Sequence, residues 1–283
     1  MDNKPLSPKY DVVFKAIFGE PAHTSILADF LKAVLDLPES EYQDIRVMDP
    51  HLLRKHKKGK LGVLDLRVTT TKGNHIDVEI QVSPQPSIWK RVLYYNARLL
   101  TDQIVSGDDY DKINRAVSIL ISYHVLIAEN KECHHRFRLY DERTGVCYPD
   151  SLEINTLEVQ KAHGAKDSPL TNWLRFFAAE TEEEFTMTTQ TNPAIAEAWG
   201  VIQYLSADEE ARRLAEYEEM ARRDEADRQK GAYTKGRQEG RQEGILEVAR
   251  KLLQEKVPVD TIAKGTGLSV DEVKLLAADI ASA

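Results

Sequence analysis

Residues 61–82 read LGVLDLRVTTTKGNHIDVEIQV, and the alternation of their side chains decides the fold. Leu64, Leu66 and Val68 alternate with Val63, Asp65 and Arg67, which is the two-residue period of a half-buried strand. After Lys72-Gly73-Asn74 the pattern resumes, with Ile76, Val78, Ile80 and Val82 on one face and Asp77, Glu79 and Gln81 on the other. The stretch is a hairpin with one apolar face and one face bearing acids and an amide.

Loop length decides whether those polar groups meet. A three-residue loop at Lys72-Gly73-Asn74 pairs Thr71 with His75, Asp65 with Gln81 and Arg67 with Glu79, all projecting from one side. A two-residue loop would set Asp65 beside Ile80 and bury a carboxylate among aliphatic side chains. The three-residue form is therefore expected, with Gly73 or Asn74 supplying the positive φ. It gathers Asp65, Glu79 and Gln81 into one polar cluster. Two carboxylates on adjacent strands make a hard oxygen site suited to Mg²⁺ or Mn²⁺, with positions left for water and phosphate oxygens. A solvated strand face carries alternating acids too, so the spacing alone leaves both readings open.

Asp65 followed at hairpin distance by Glu79-x-Gln81 resembles the core of the PD-(D/E)XK nuclease superfamily. Within it the chain is similar to the recombination-promoting nucleases, transposase-like proteins of the same type. The resemblance is carried, in order, by SPKYDVVFKAIFGE (7–20), LDLRV (64–68), DVEIQV (77–82), KRVLYYNARLL (90–100), NWLRFF (172–177) and GTGLSVDEVKLL (265–276). It implies an α/β fold, a restriction-endonuclease-like core with a helical C-terminal region, and metal-dependent endonuclease activity on DNA. It makes Asp65 and Glu79 the metal ligands and Asp65, Glu79 and Gln81 the catalytic set. Gln81 stands where the wider superfamily has lysine, although ExQ is the form of the closer family. Glutamine carries no charge, so either the metal does more of the water activation or Arg67, Lys90 or Arg91 supplies the cation. The resemblance also implies a further acid on the first helix, for which Asp11 and Glu20 are candidates. Asp11 has a simpler reading as a helix cap, with Lys15 one turn on as its ion-pair partner.

At 283 residues the chain can bury a large core plus a smaller appendage, and 42% hydrophobic with 30% charged residues fits a globular protein. No apolar run approaches the roughly 20 residues of a membrane span. The opening MDNKPLSPKYD lacks a secretory pattern, and Cys133 and Cys147 give no disulfide framework, so the cytosol is expected. Cys133, His134, His135 and Cys147 invite zinc, but no CxxC clamp is present. The net charge of −8 argues against a passive nucleic-acid coat and leaves a nuclease possible, since only the groove need be positive. Arg54, Lys55, Lys57, Lys58 and Lys60, just before the hairpin, could bind DNA phosphates or form a solvated basic loop.

The remaining pattern predicts helices at about 12–18, 22–36 and 87–106, with Tyr94 and Tyr95 of the third packed on the sheet. Strands are expected at 45–48, 116–128, 136–140 and 152–159, and helices again from Pro169 and Pro193. The organisation expected is a nuclease-like core at 1–165, a helical extension at 166–230 and a Gly-repeat segment with a helical hairpin at 231–283. Residues 208–229 form a charged helix open to a second copy or a protein partner, though a full heptad seam is missing. Gly236, Gly240 and Gly244 suggest either a close-approach helix face or a hinge. Residues 262–276 have helix-turn-helix spacing, but the recognition-helix candidate is acidic, which favours a packing hairpin. The competing function is a nuclease-derived DNA-binding or scaffold protein with little or no cleavage activity. An RNA-directed nuclease would use the same site.

Overall fold

In a computed structural model the chain is described for residues 4–48, 51–52, 62–63, 65–149 and 152–282. The first helix, α1 (Asp11–Phe18), buries Val13, Phe14, Ile17 and Phe18, and stops at Gly19. Its N-cap is Tyr10, without a side-chain cap, so Asp11 is the first helical residue and does not cap. The expected pair exists, with Lys15 Nζ 2.8 Å from Asp11 Oδ2. A short 3₁₀ turn then leads into α2 (Thr24–Val34).

Strand β1 (Arg46–Met48) follows, then the short pair β2 (His51–Leu52) and β3 (Gly62–Val63), which form their own antiparallel sheet. The hairpin strands are β4 (Leu66–Thr69) and β5 (His75–Gln81), and α3 (Ile88–Thr101) crosses from β5 to β6 (Ala116–Ser122). With β7 (His134–Arg138) and β8 (Leu152–Glu158) the main sheet has six strands in the order β1-β4-β5-β6-β8-β7. β5, β6 and β8 run parallel and the outer strands antiparallel.

The hairpin differs from expectation by one pair on each strand. Leu66 faces Val78, Arg67 faces Asp77 and Thr69 faces His75. Thr70 N donates to Asn74 O at 3.0 Å, leaving Thr71-Lys72-Gly73 as the loop, with Gly73 at φ +88°. Glu41, buried in the 3₁₀ turn before β1, explains the register. Its carboxylate accepts from Thr70 Oγ1 at 2.5 Å and Asn74 Nδ2 at 3.2 Å, and its carbonyl accepts from Thr71 N. A buried carboxylate needs such donors, so the two threonines are drawn up to it and the loop closes one residue earlier. Because the slip totals two residues, every side chain keeps its face.

β6 also ends sooner than expected. His124 N turns back to Ser122 Oγ, and the amides of Leu126 and Ile127 go to Glu158 Oε2. These donors leave the ladder for a buried carboxylate, so residues 123–128 are loop.

The apolar face of the sheet, including Leu66, Val68, Ile76, Val78 and Ile119, packs on α1 and α2 and on α4 (Pro169–Ala178) and α6 (Pro193–Ala207). Phe14, Phe18, Phe30, Trp173, Phe176 and Phe177 are all essentially buried and meet ring to ring at 5.0–6.3 Å. Such pairs prefer tilted and edge-on contacts, as here. The intervening helix α5 (Glu182–Thr189) was not foreseen, although Thr181 and Glu184 form a capping box that marks its start. Residues 169–207 thus share the core of the sheet rather than extending from it.

The chain divides into two compact units, 1–220 and 221–283. Helix α7 (Glu209–Gln254) passes through the Gly-repeat stretch without a break, which removes the hinge reading. A Cβ at Gly236, Gly240 or Gly244 would meet nothing within 4 Å, so none of them serves close approach among the described residues. In the second unit Ala249, Ile262, Ala263, Val273 and Leu276 form a small core with α8 (Val259–Thr266) and α9 (Val270–Ser282). Gly267, at φ +77°, makes the turn between them.

Two outcomes follow from these placements. Glu41→Ala should cost on the order of 2–4 kcal/mol in chemical denaturation, because buried Thr70 loses its acceptor and Asn74 loses an acceptor as well. Gly236→Ala and Gly240→Ala should each stabilise α7 by about 0.5–1 kcal/mol, read from the melting of its circular dichroism signal.

Candidate functional site

The polar face of the hairpin is built by alternation. Val68, Ile76 and Val78 must enter the aromatic core, so Asp65, Arg67, Asp77, Glu79 and Gln81 project from the other side. Helix α3 covers that side. Its Ile88 and Val92 pack on Leu120, which is Glu79's neighbour on β6. Asn96, fully buried, donates to Ser118 Oγ at 3.0 Å and to the carbonyl of Glu153 at 3.1 Å, tying the helix to β6 and β8. Tyr95 is partly buried against Leu99 and Ala116, whereas Tyr94 is 46% exposed and does not pack on the sheet as expected.

Continuing the register by one pair brings Asp65 opposite Glu79. Asp65 Oδ2 accepts the Ile80 amide at 2.9 Å, which locks the carboxylate against β5. Asp77 and Glu79 are almost completely buried. Arg91 reaches in from α3 with Nη2 3.6 Å from Glu79 Oε1, close enough for attraction and too long for a hydrogen bond. Asp77 Oδ1 and Glu79 Oε1 have no hydrogen-bond partner among the described residues.

Protonation follows from this crowding. Burial pushes Glu79 up to about 7, with Arg91 opposing and Asp65 adding to the rise. Asp77 is raised well above the carboxylate range by burial first, then by Glu79 and Asp65. Asp65 is raised by burial, partly offset by the Ile80 amide, and is pushed further by Asp11. The ends of α1 and β4 are therefore electrostatic neighbours, which brings Asp11, and Lys15 with it, to the rim of the acid cluster. Nothing comparable brings Glu20 there.

Of the other candidates, Gln81 shares the face, but its amide nitrogen donates to Ser83 O at 2.5 Å. Arg67 lies opposite Asp77 with Nη2 3.5 Å from His75 Nδ1. Lys90 is exposed on α3, and among the described residues Arg91 is the cation acting on Glu79. Arg54, Lys55, Lys57, Lys58 and Lys60 lie outside the described residues. Asp77 is the acid that sequence reasoning left out. Its signal was its position two residues before Glu79, on the same strand face.

Among the described residues no three Asp, Glu, His or Cys side chains meet closely enough to hold an ion by themselves. His134 and His135 instead contact Asn155 and Asn130. Asp65 and Glu79 nevertheless suit a hard divalent cation. They sit on adjacent strands, repel each other in a buried setting, and Glu79 offers an oxygen without a donor. An ion held by two carboxylates completes its shell from water and phosphate.

A mixed sheet with paired acids on a β-hairpin, followed by a crossover helix, is the core of a PD-(D/E)XK nuclease fold. The chain belongs to the PD-(D/E)XK nuclease family transposases, whose family model matches residues 8–232. A second model, the C-terminal helix-turn-helix domain of the Rpn/YhgA-like nuclease family, matches residues 242–278. That match corrects the packing-hairpin expectation for α8 and α9. Acidic side chains on α9 do not alter the helix spacing or the Gly267 turn that define the motif. No curated protein and no solved structure gave a match. Both family matches point to DNA as the partner, and no helix among the described residues is long and apolar enough to cross a membrane.

The raised acids set a pH dependence. Below the ordinary glutamate range Glu79 is protonated in folded and unfolded chains alike. Between that range and about pH 7 the folded state holds a proton that the unfolded state releases, so stability falls as pH rises through 7. Denaturation of metal-free protein should show a loss of up to ~3 kcal/mol over this window. Glu79→Gln should remove most of that slope, and added Mg²⁺ should restore stability above pH 7.

Proposed function

We propose that the protein is a divalent-metal-dependent endonuclease that hydrolyses phosphodiester bonds in DNA, in the service of recombination or mobile-element activity. The observation that carries this reading is the pair of half-buried Asp65 and buried Glu79, with an oxygen on Glu79 that accepts no hydrogen bond among the described residues and one guanidinium at 3.6 Å. Asp65 and Glu79 hold Mg²⁺ or Mn²⁺. When bound, the ion supplies a polarised water and neutralises charge on the phosphoryl group.

The chain's own residues do the rest. The Ile80 amide orients Asp65 by occupying its Oδ2, which leaves Oδ1 for the ion. Arg91 supplies the positive charge that Gln81 lacks, first beside Glu79 and then beside the phosphate as negative charge builds there. Gln81 orients water or a phosphate oxygen once its amide leaves the Ser83 carbonyl. Asp11, at the rim with Lys15, and Arg67, beside Asp77, tune the charge of the cluster, and Lys90 steers the DNA backbone. Arg54, Lys55, Lys57, Lys58 and Lys60 neutralise phosphates upstream of the hairpin.

In this reading residues 1–165 carry the chemistry, 166–230 buttress it, and the helix-turn-helix in 231–283 adds DNA contact. The reaction belongs in the cytosol, and the charged surface of α7 is open to a second copy or a protein partner.

The test is incubation of purified protein with supercoiled and linear DNA, with and without Mg²⁺ or Mn²⁺. Metal-dependent nicking should be abolished in Asp65→Ala and Glu79→Ala and reduced about 10²-fold or more in Arg91→Ala, all three remaining folded. Cleavage that survives the acid substitutions would mean that the site is elsewhere. DNA binding without cleavage from any form would favour the scaffold reading, which the engaged Gln81 amide supports.

A further inference from the structure

Helix α3 turns a second surface outward. Trp89, Leu93 and Tyr94 are 41%, 52% and 46% exposed, although this helix buries a good apolar face elsewhere. The Trp89 ring stands edge-to-face with Phe137 of β7, centroids 5.7 Å apart and planes at 82°. Phe137 is itself 42% exposed. Phe137 also stacks loosely with His135, centroids 6.5 Å apart and planes at 23°, and both Trp89 and Phe137 still keep about two-fifths of their surface accessible. Lys90, beside Trp89, is exposed as well. The same helix therefore sends Arg91 to Glu79 and presents Trp89 against Phe137 of β7, with exposed Lys90 next to Trp89 in the chain.

Aromatic faces interleaved with cations are what unpaired nucleotides take: each base stacks on a ring and each phosphate meets a positive charge. A duplex hides its base faces and gains only from the charge. A second copy is the poorer occupant. Two such surfaces meeting about a two-fold axis would bring Lys90 toward its like, and Arg136 and Arg138 of β7, already paired with Glu153, offer no compensating partner.

We infer that Trp89 and Phe137, with Lys90, form a stacking platform for unpaired bases of DNA, so that the acid cluster is supplied with single-stranded or locally opened DNA. The inference deepens the nuclease reading and rests on it for the cluster's chemistry. The stacking itself does not require cleavage.

Trp89 offers its own probe, because the other two tryptophans are buried: Trp173 is 0% and Trp199 9% exposed. The full chain would be titrated in EDTA with an oligothymidylate and, separately, with a duplex of equal length, following tryptophan emission and the anisotropy of a labelled strand. The oligothymidylate should quench emission and bind more tightly than the duplex. Trp89→Ala and Phe137→Ala should weaken its binding about 5- to 100-fold and leave duplex binding nearly unchanged. Trp89→Phe should retain binding and lose the quench, which separates stacking from misfolding.

Unchanged emission, or equal oligothymidylate affinity in Trp89→Ala, would overturn the platform. So would a drop in sedimenting mass on Trp89→Ala, which would give the surface to a second copy. Metal-dependent cleavage of duplex with no response from Trp89 defeats the platform and leaves the nuclease reading standing. Quenching by oligothymidylate without cleavage supports the platform and defeats the nuclease reading alone.

Discussion

Asp65, Asp77 and Glu79 repel one another across a buried sheet face, and much of the surrounding structure answers that repulsion. The Ile80 amide takes one oxygen of Asp65, and Arg91 draws near Glu79 without closing a hydrogen bond. Asp77 is left with an oxygen that nothing satisfies. Burying charge in this way is unfavourable by several kcal/mol unless it is neutralised by protons or by an ion. The opposite face of the same strands provides the offset. There Leu66, Val68, Ile76 and Val78 lie against closely packed phenylalanines and Trp173. One strand pair thus spends on its polar side part of what its apolar side supplies.

Helix α3 mediates between the two demands. Its buried stripe and Asn96 fix it over β5, β6 and β8, and that position brings Arg91 over the acids. A guanidinium on a helix can be withdrawn or advanced by small shifts that a sheet residue cannot make. In the wider superfamily the positive charge comes from the strand itself, at the position held here by Gln81. Placing it on α3 separates the cation from the strand that carries the acids, so the sheet holds Asp65 and Glu79 while the helix brings Arg91 to within 3.6 Å of Glu79.

Much of this was legible in the sequence, for identifiable reasons. The alternation from Leu66 to Gln81 assigned each residue its face, because the aliphatic positions admit only one side of the sheet as core. The strongly periodic helices α1, α2 and α4 were likewise plain. The hairpin register was not, because it depends on Glu41, a residue remote in sequence whose bonds to Thr70 and Asn74 exist only in the folded chain. The end of β6 was hidden for the same kind of reason, since Glu158 takes the amides of Leu126 and Ile127 from a distant strand. α5 has a weak apolar stripe and announced itself only through its capping box. Asp77 looked like one more polar strand residue until burial gave it weight. In the C-terminal unit the negative charge of α9 outweighed the spacing, and the spacing was the better guide.

The grip of Glu41 on the hairpin turn also bears on how such a chain can decay. Glu41 touches none of the acids, yet it decides which residues of β4 and β5 stand opposite one another. Substitutions at Glu41, Thr70 or Asn74 are thus free to drift separately from those at Asp65 and Glu79. A descendant could keep every acid of the motif and still have lost the pairing that brings them together. Ancestry would then be intact in the sequence while the acid pairing had gone, and the first trace of that loss would be found at the turn.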